Sequence, residues 1–183
     1  MRKIVAYIAI SLDGKIADSD FGVEWLDQVP NPEHTDYGYA DFFAGIETTI
    51  MGNSTYRQVL GFGQPFPYAS KTNYVLTRDR SQEKDENVTF IYEDPVAAIG
   101  QIKAQPGNNI WLIGGGQVNS LCLESGLLDE LIVFVMPVVV GKGVSLFSDE
   151  RHMRLLELKE TKSYQSGVVE LRYTVSSQLA PES

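Results

Sequence analysis

Three stretches of this chain bring glycines, hydroxyls or a guanidinium to the end of an apolar run. In Trp111-Leu112-Ile113-Gly114-Gly115-Gly116-Gln117-Val118, a buried-type strand meets three glycines and then a helical pattern. Glycine lets a backbone approach a ligand closely, and the free N–H groups at a helix start favour an anion such as phosphate. The same residues would equally form a tight turn, and with Asn119 at the sixth position they do not complete a G-x-G-x-x-G fingerprint. Val75-Leu76-Thr77-Arg78 puts a hydroxyl and a guanidinium at a strand end, a pair able to hold phosphate through charge-assisted hydrogen bonds or simply to face solvent. Met51-Gly52-Asn53-Ser54-Thr55-Tyr56 again runs from strand to helix start. Three such ends in one sheet would surround an extended, multiply phosphorylated ligand, because open α/β sheets bind ligands at the carboxyl ends of their strands.

Fewer residues offer acid–base chemistry. Asp36 sits in the first turn of a predicted helix, where the helix dipole favours a carboxylate whatever else it does. Asp13, beside Gly14, reads as a turn residue or a substrate contact, and Trp25 as a cover over the site or a surface anchor. His34, His152 and Cys122 lack the number and spacing for zinc or for a nucleophilic triad, so no metal is expected. A single cysteine forms no intrachain disulfide and suits a reducing compartment. The formal net charge of −9 opposes binding to nucleic acid or anionic membrane and requires a local cationic pocket for any anionic ligand. Ile4 to Ile10 faintly imitates a signal peptide but soon meets Asp13 and Lys15, and no stretch is long enough to span a bilayer, so a cytoplasmic location is expected. The sequons at Asn53 and Asn87 are then accidental.

The elements that would position these residues follow from pattern. Lys3–Ser11 reads as a central strand and Asp18–Pro32 as a long loop. A helix is expected from Pro32 to Gly45, then a strand at Thr48–Met51 and a helix to Leu60 capped by Asn53 or Ser54. Strands follow at Thr72–Thr77 and Val88–Tyr92, and a helix opens at Asp94-Pro95 and runs to Gln105. Ile110–Ile113 is a strand that leads through the glycines into a helix ending at Glu124. Glu130–Val140 is a long apolar strand, and Leu155–Thr161 with Val168–Val175 makes a hairpin across Gln165-Ser166-Gly167. The pattern gives one α/β domain over residues 1–176, a mixed and mostly parallel sheet with a C-terminal antiparallel hairpin, and a flexible tail at 177–183.

In this order the motifs resemble the dihydrofolate reductase superfold, and most closely the reductase domain of bacterial riboflavin-biosynthesis proteins and their stand-alone relatives. Ser11-Leu12-Asp13-Gly14-Lys15-Ile16-Ala17 and Pro137-Val138-Val139-Val140-Gly141-Lys142-Gly143 join the three stretches above in carrying the likeness, which extends from Ile4 to Val175. The resemblance implies a three-layer α/β/α reductase that binds NADPH and passes hydride to a pyrimidine- or pterin-like ring, with 5-amino-6-(5-phosphoribosylamino)uracil reductase as one form of that activity. It also implies a homodimer. Residue by residue, Ala9 and Ile16 would flank the nicotinamide. Gly52, Asn53, Ser54 and Thr55 would face the cofactor phosphates, Thr77 and Arg78 the adenosine 2′-phosphate, and Gly114, Gly115, Gly116, Gln117 and Val118 the pyrophosphate. Asp36 falls where dihydrofolate reductases place the carboxylate that binds the substrate ring. Asn53 departs from the basic residue that relatives often carry after Met-Gly, which weakens the preference for NADPH over NADH. A non-catalytic NADP-binding or ligand-sensing protein of the same fold is the alternative.

Overall fold

The computed structural model describes residues 1–63, 65–82, 84–148 and 153–179. Ten strands and four α-helices occur among them: β1 (Ile4–Ser11), β2 (Lys15–Asp18), α1 (Tyr39–Ala44), β3 (Ile46–Gly52), α2 (Asn53–Gly61), β4 (Thr72–Leu76), β5 (Val88–Ile91), α3 (Pro95–Ala104), β6 (Asn109–Gly114), α4 (Gly116–Glu124), β7 (Glu130–Met136), β8 (Gly143–Ser145), β9 (Arg154–Ser163) and β10 (Val169–Leu179). Eight strands form one sheet in the order β5-β4-β3-β6-β1-β7-β10-β9. Pairing is parallel from β5 to β7 and antiparallel from β7 through β10 to β9.

Alternation along the strands sends side chains to two faces, and both are covered. Ile4, Ala6, Ile50, Ile110 and Leu112 pack with Ile99 and Ile102 of α3 and Val118, Cys122 and Leu123 of α4. The opposite face is filled in two parts. Val5, Ile132, Phe134 and Met136 meet Phe42 of α1 together with Trp25 and Leu26, and Met51 and Val75 meet Tyr56 of α2. The three-layer α/β/α arrangement follows from this two-sided burial.

The chain departs from its sequence pattern in several places. The helix expected from Pro32 spans only Tyr39–Ala44. Asn31 holds Thr35 through its amide, and Asp36 accepts from the backbone N–H groups of Gly38 and Ala40, so side-chain-closed turns win over helix. His34, Tyr37 and Gly38 all take positive φ, which no α-helix accommodates. Asp36 therefore precedes the helix instead of lying in its first turn. The long loop begins with the end of β2 and contains a 3₁₀ turn at Glu24–Gln28. β2 and β8 pair as a separate small sheet that pattern did not reveal, each being too short to show alternation.

β7 stops at Met136 because Pro137 brings no N–H to the ladder. It is an internal strand between β1 and β10, so its apolarity reflects burial and not an edge. β10 continues to Leu179, where it pairs with Arg154, so strand reaches into the segment read as a tail; residues 180–183 lie outside the described residues. Gly52, not Asn53 or Ser54, is the N-cap of α2.

Asp13 closes the turn between β1 and β2. Its carboxylate accepts from the Ser11 hydroxyl at 2.7 Å, from Val140 N–H at 3.0 Å and from Gly141 N–H at 2.8 Å. These donors favour the ionised form and lower its pKa to about 2, against about 3.9 in an unfolded chain. A depressed carboxyl contributes stability that is present above the unfolded value and is lost as pH falls through the folded one. The Asp13 clamp should hold above about pH 4 and fail toward pH 2. Asp13→Asn should show a shallower acid limb in that window, with faster hydrogen exchange at Val140 and Gly141. An unchanged acid titration would show that the clamp contributes nothing.

Candidate functional site

Parallel register lines up the carboxyl ends of three strands. Met51 on β3 pairs with Gly114 on β6, and Gly52 pairs with Leu76 on β4. β3 and β6 each pass straight into a helix, α2 and α4, and neither helix has a side-chain cap. Two helix N-termini, each with its partial positive charge and unclaimed N–H groups, thus open side by side.

Glycine is required where these turns meet. A Cβ on Gly52 would lie 3.0 Å from Val118 Cγ2, and one on Gly116 would lie 2.5 Å from the Ser145 carbonyl oxygen. Gly114 has φ +107, with the amide of the buried Asn119 against it, and the Gly114–Gly115 peptide is cis. Asn119 Nδ2 also donates to Leu146 O at 2.9 Å, tying α4 to the segment after β8.

A cavity of about 1380 Å³ runs along these strand ends. Its walls include Ala9, Ile16, Asp36, Gly52, Asn53, Ser54, Thr55, Thr77, Arg78, Gly115, Gly116, Gln117 and Val118. Residues far apart in sequence converge there: a Cβ on Gly115 would sit 3.5 Å from Thr55 Oγ1 and 3.9 Å from Ile16 Cδ1. Thr77 is buried and its hydroxyl accepts from Asp79 N–H, whereas the neighbouring Arg78 is exposed at the rim. Asn53 contributes a buried amide oxygen without a hydrogen-bond partner, which leaves an acceptor to be satisfied inside the cavity.

Three residues singled out in the sequence do not line this cavity. Gly114 forms the strand end behind Gly115. Asp13 is occupied by its turn. Trp25 is half-buried in the core beneath the 3₁₀ turn, with its Nε1 unpartnered. Asp36 stands at the rim with Oδ1 2.9 Å from Gly38 N and Oδ2 3.0 Å from Ala40 N. Those two donors lower its pKa, so it is a carboxylate at neutral pH and not a proton donor.

The other end of the cavity is aromatic, and sequence reasoning passed over most of it. Tyr7, Tyr37, Tyr39, Tyr68, Trp111 and Phe134 line it. Trp111 is 6% exposed, donates from Nε1 to Tyr7 O at 3.3 Å, and has Tyr68 and Tyr39 edge-on at 5.3 and 5.9 Å. Burial pushes the Tyr68 hydroxyl up to about 12 and raises those of Tyr7 and Tyr39, so all three stay neutral. Trp111 lies three residues before the first of the glycines, and Tyr7 shares a strand face with Ala9. Those were the available signals, but strand alternation does not say which face a ligand meets.

Residues 67–170 match the RibD C-terminal domain family. The chain is 41% identical over 172 residues to YwjB of Bacillus subtilis (strain 168), covering 94% of this chain and 97% of that protein. Its fold superimposes with a TM-score of 0.85 on a Shewanella sp. PV-4 protein named for riboflavin biosynthesis, at 28% identity over 95% of this chain and 99% of that one. It also superimposes on dihydrofolate reductase from Enterococcus faecalis complexed with NADP(H), with a TM-score of 0.65 at 16% identity, covering 94% and 96% of the two chains. Among the described residues no helix is long and apolar enough to cross a membrane, and no cluster of ligating side chains could hold a metal. With a dihydrofolate reductase-like sheet, two uncapped helix starts over its carboxyl edge and this match in sequence, the chain belongs to the RibD C-terminal domain family.

Proposed function

We propose that this protein is a cytoplasmic NADPH-dependent reductase acting on a small pyrimidine- or pterin-like ring. The observation that carries the reading is the pair of uncapped helix N-termini opening into one cavity that ends in an aromatic pocket. The residues present fit a dinucleotide. Backbone N–H groups from Asn53–Thr55 and from Gly116 and Gln117 would hold its phosphates, and the glycines leave room where a side chain would intrude, while Val118 N–H is already given to Gly115 O. Thr77 and Arg78 would take the 2′-phosphate, and Ala9 and Ile16 would flank the nicotinamide. When bound, the cofactor supplies the hydride. The chain supplies orientation and a water-poor aromatic wall, and ionised Asp36 would accept N–H groups of the substrate ring and favour its protonated form.

Titration with NADPH and NADH, followed by hydride loss from bound NADPH in a substrate screen, tests this reading. Arg78→Ala should weaken NADPH by about 1.5 kcal/mol, the low end for a charged hydrogen bond because Arg78 is exposed, and should leave NADH unchanged. Equal losses for both nucleotides would remove Arg78 from 2′-phosphate recognition. Asp36→Asn should keep NADPH affinity and lower turnover by about 10²–10³-fold, as for the loss of a preorganised electrostatic contact. Unchanged turnover would make Asp36 only the clamp of the turn before α1.

A second reading, an NADP-binding sensor without catalysis, is favoured by one observation: both Asp36 oxygens already accept backbone N–H groups. Nucleotide binding without hydride loss to any candidate ring would select it.

We further propose a homodimer built on β9. This outermost strand leaves one edge unpaired among the described residues and exposes Leu155, Leu156 and Leu158, a combination that invites pairing with a second copy. Sedimentation at micromolar concentration should give twice the chain mass, and Leu156→Lys with Leu158→Lys should return it to one; a monomeric wild-type protein would refute the assignment.

A further inference from the structure

We infer that the ring bound at the aromatic end carries no phosphate. This rests on the reading above for the position of the cofactor, and it narrows the substrate class. Among the described residues lining the cavity, Arg78 is the only lysine, arginine or histidine. Arg78 follows β4, while the aromatic end is built on β6, β1 and β7. β4 lies three strand spacings from β1, about 14 Å at the usual separation. A cofactor phosphate held at Arg78 leaves no cation for a second phosphate at the far end.

Three cations around the aromatic cluster do not line the cavity: Lys162 lies over the Tyr164 ring, 4.6 Å from its centre, and Lys71 and Arg172 are committed elsewhere. Lys71 donates to Phe43 O at 3.0 Å and Ile46 O at 2.8 Å, with its ammonium 4.1 Å from the centre of the Phe43 ring. Arg172 is paired with buried Glu170 at 2.6 Å and reaches Glu160 at 3.6 Å. What does face the cavity there is negative: Asp36, and Asp27 on the 3₁₀ turn next to Leu26, which packs into the cluster containing Tyr37 and Phe134. Two carboxylates, with no cation among the described residues that line this end, repel a phosphoryl group, and a net charge of −9 offers no compensation at long range. Neutral tyrosines, a tryptophan and a phenylalanine instead favour a flat ring, and a neutral or cationic one over an anionic one. The pocket therefore selects an unphosphorylated planar heterocycle with N–H donors at its edge.

Riboflavin and FMN share a ring system and differ by one phosphate, so they read the inference directly through flavin fluorescence. Each is titrated into the protein saturated with NADPH, which fills the phosphate-binding helix starts, and into the bare protein. Riboflavin should bind at least about tenfold more tightly than FMN. Tyr39→Ala, at a side chain 37% exposed and so tolerant of truncation, should weaken riboflavin by about tenfold, the worth of one stacking aromatic. Asp27→Lys should bring FMN to parity with riboflavin or beyond. FMN binding as well as riboflavin, neither flavin binding, or a preference untouched by Asp27→Lys would each overturn the inference. The NADPH titration is read separately. Failure of NADPH to bind while riboflavin is still preferred sinks the reductase reading alone, and tight NADPH binding with FMN preferred sinks only the unphosphorylated ring.

Discussion

The passage from β6 into α4 governs the rest of the site. Within three residues the chain leaves a largely buried strand, turns through Gly114 and Gly115, and starts a helix at Gly116 in contact with β8. Side chains cannot be added at Gly114 or Gly116 without displacing Asn119 or the Ser145 backbone, so the backbone itself becomes the cavity wall. Because Gly114 is in register with Met51, the same geometry aligns the start of α4 with the start of α2. The partial positive charge at each helix start is short-ranged, and only two starts held side by side make an extended polyanion site. In a chain of net charge −9, this local arrangement is what makes an anionic ligand acceptable at all.

The supporting structure holds that passage in place. Asn119 is buried in α4 and bonds to Leu146, and Ser120 accepts from Ser148 N–H at 2.9 Å. Leu146 N–H in turn bonds to Gly14 O at 3.0 Å, in the turn that Asp13 clamps to residues 140–141. The small β2–β8 sheet thereby joins the end of β1 to the flank of α4. It brings Ile16 near Gly115, linking the first strand motif to the glycine turn without any direct pairing between them.

The two ends of the cavity recognise by different physics. At the strand ends, dipoles and N–H groups fixed in the backbone suit phosphates, and this recognition does not depend on side-chain charge. At the aromatic end, side chains decide: Trp111 and its tyrosine neighbours offer apolar area and polarisable faces, and the charges among the described lining residues there are carboxylates. An elongated ligand with a polyanionic body and an adjacent uncharged ring matches that division.

The sequence by itself determined the layers and the strand-end motifs. Two-sided apolar strands such as Ile4–Ile10 and glycines placed where Ile113 ends are local features, and a central strand or a helix start imposes them on composition directly. Asn53 to Thr55, Thr77 with Arg78, and Gly114 to Val118 were legible as candidate ligand contacts for that reason, and all of them except Gly114 line one cavity. Tertiary structure alone decided the aromatic end. Asp36 looked like a helix-start residue, but Asn31 and Asp36 close turns through their own side chains and hold the helix back to Tyr39. Trp25 read as a cover or a surface anchor and instead packs, half-buried, against the core, whereas Trp111, part of a buried strand by pattern, supplies the wall. Periodicity reports which residues share a face of an element. Which face meets a cavity depends on how distant elements pack, and that information is spread over the whole chain.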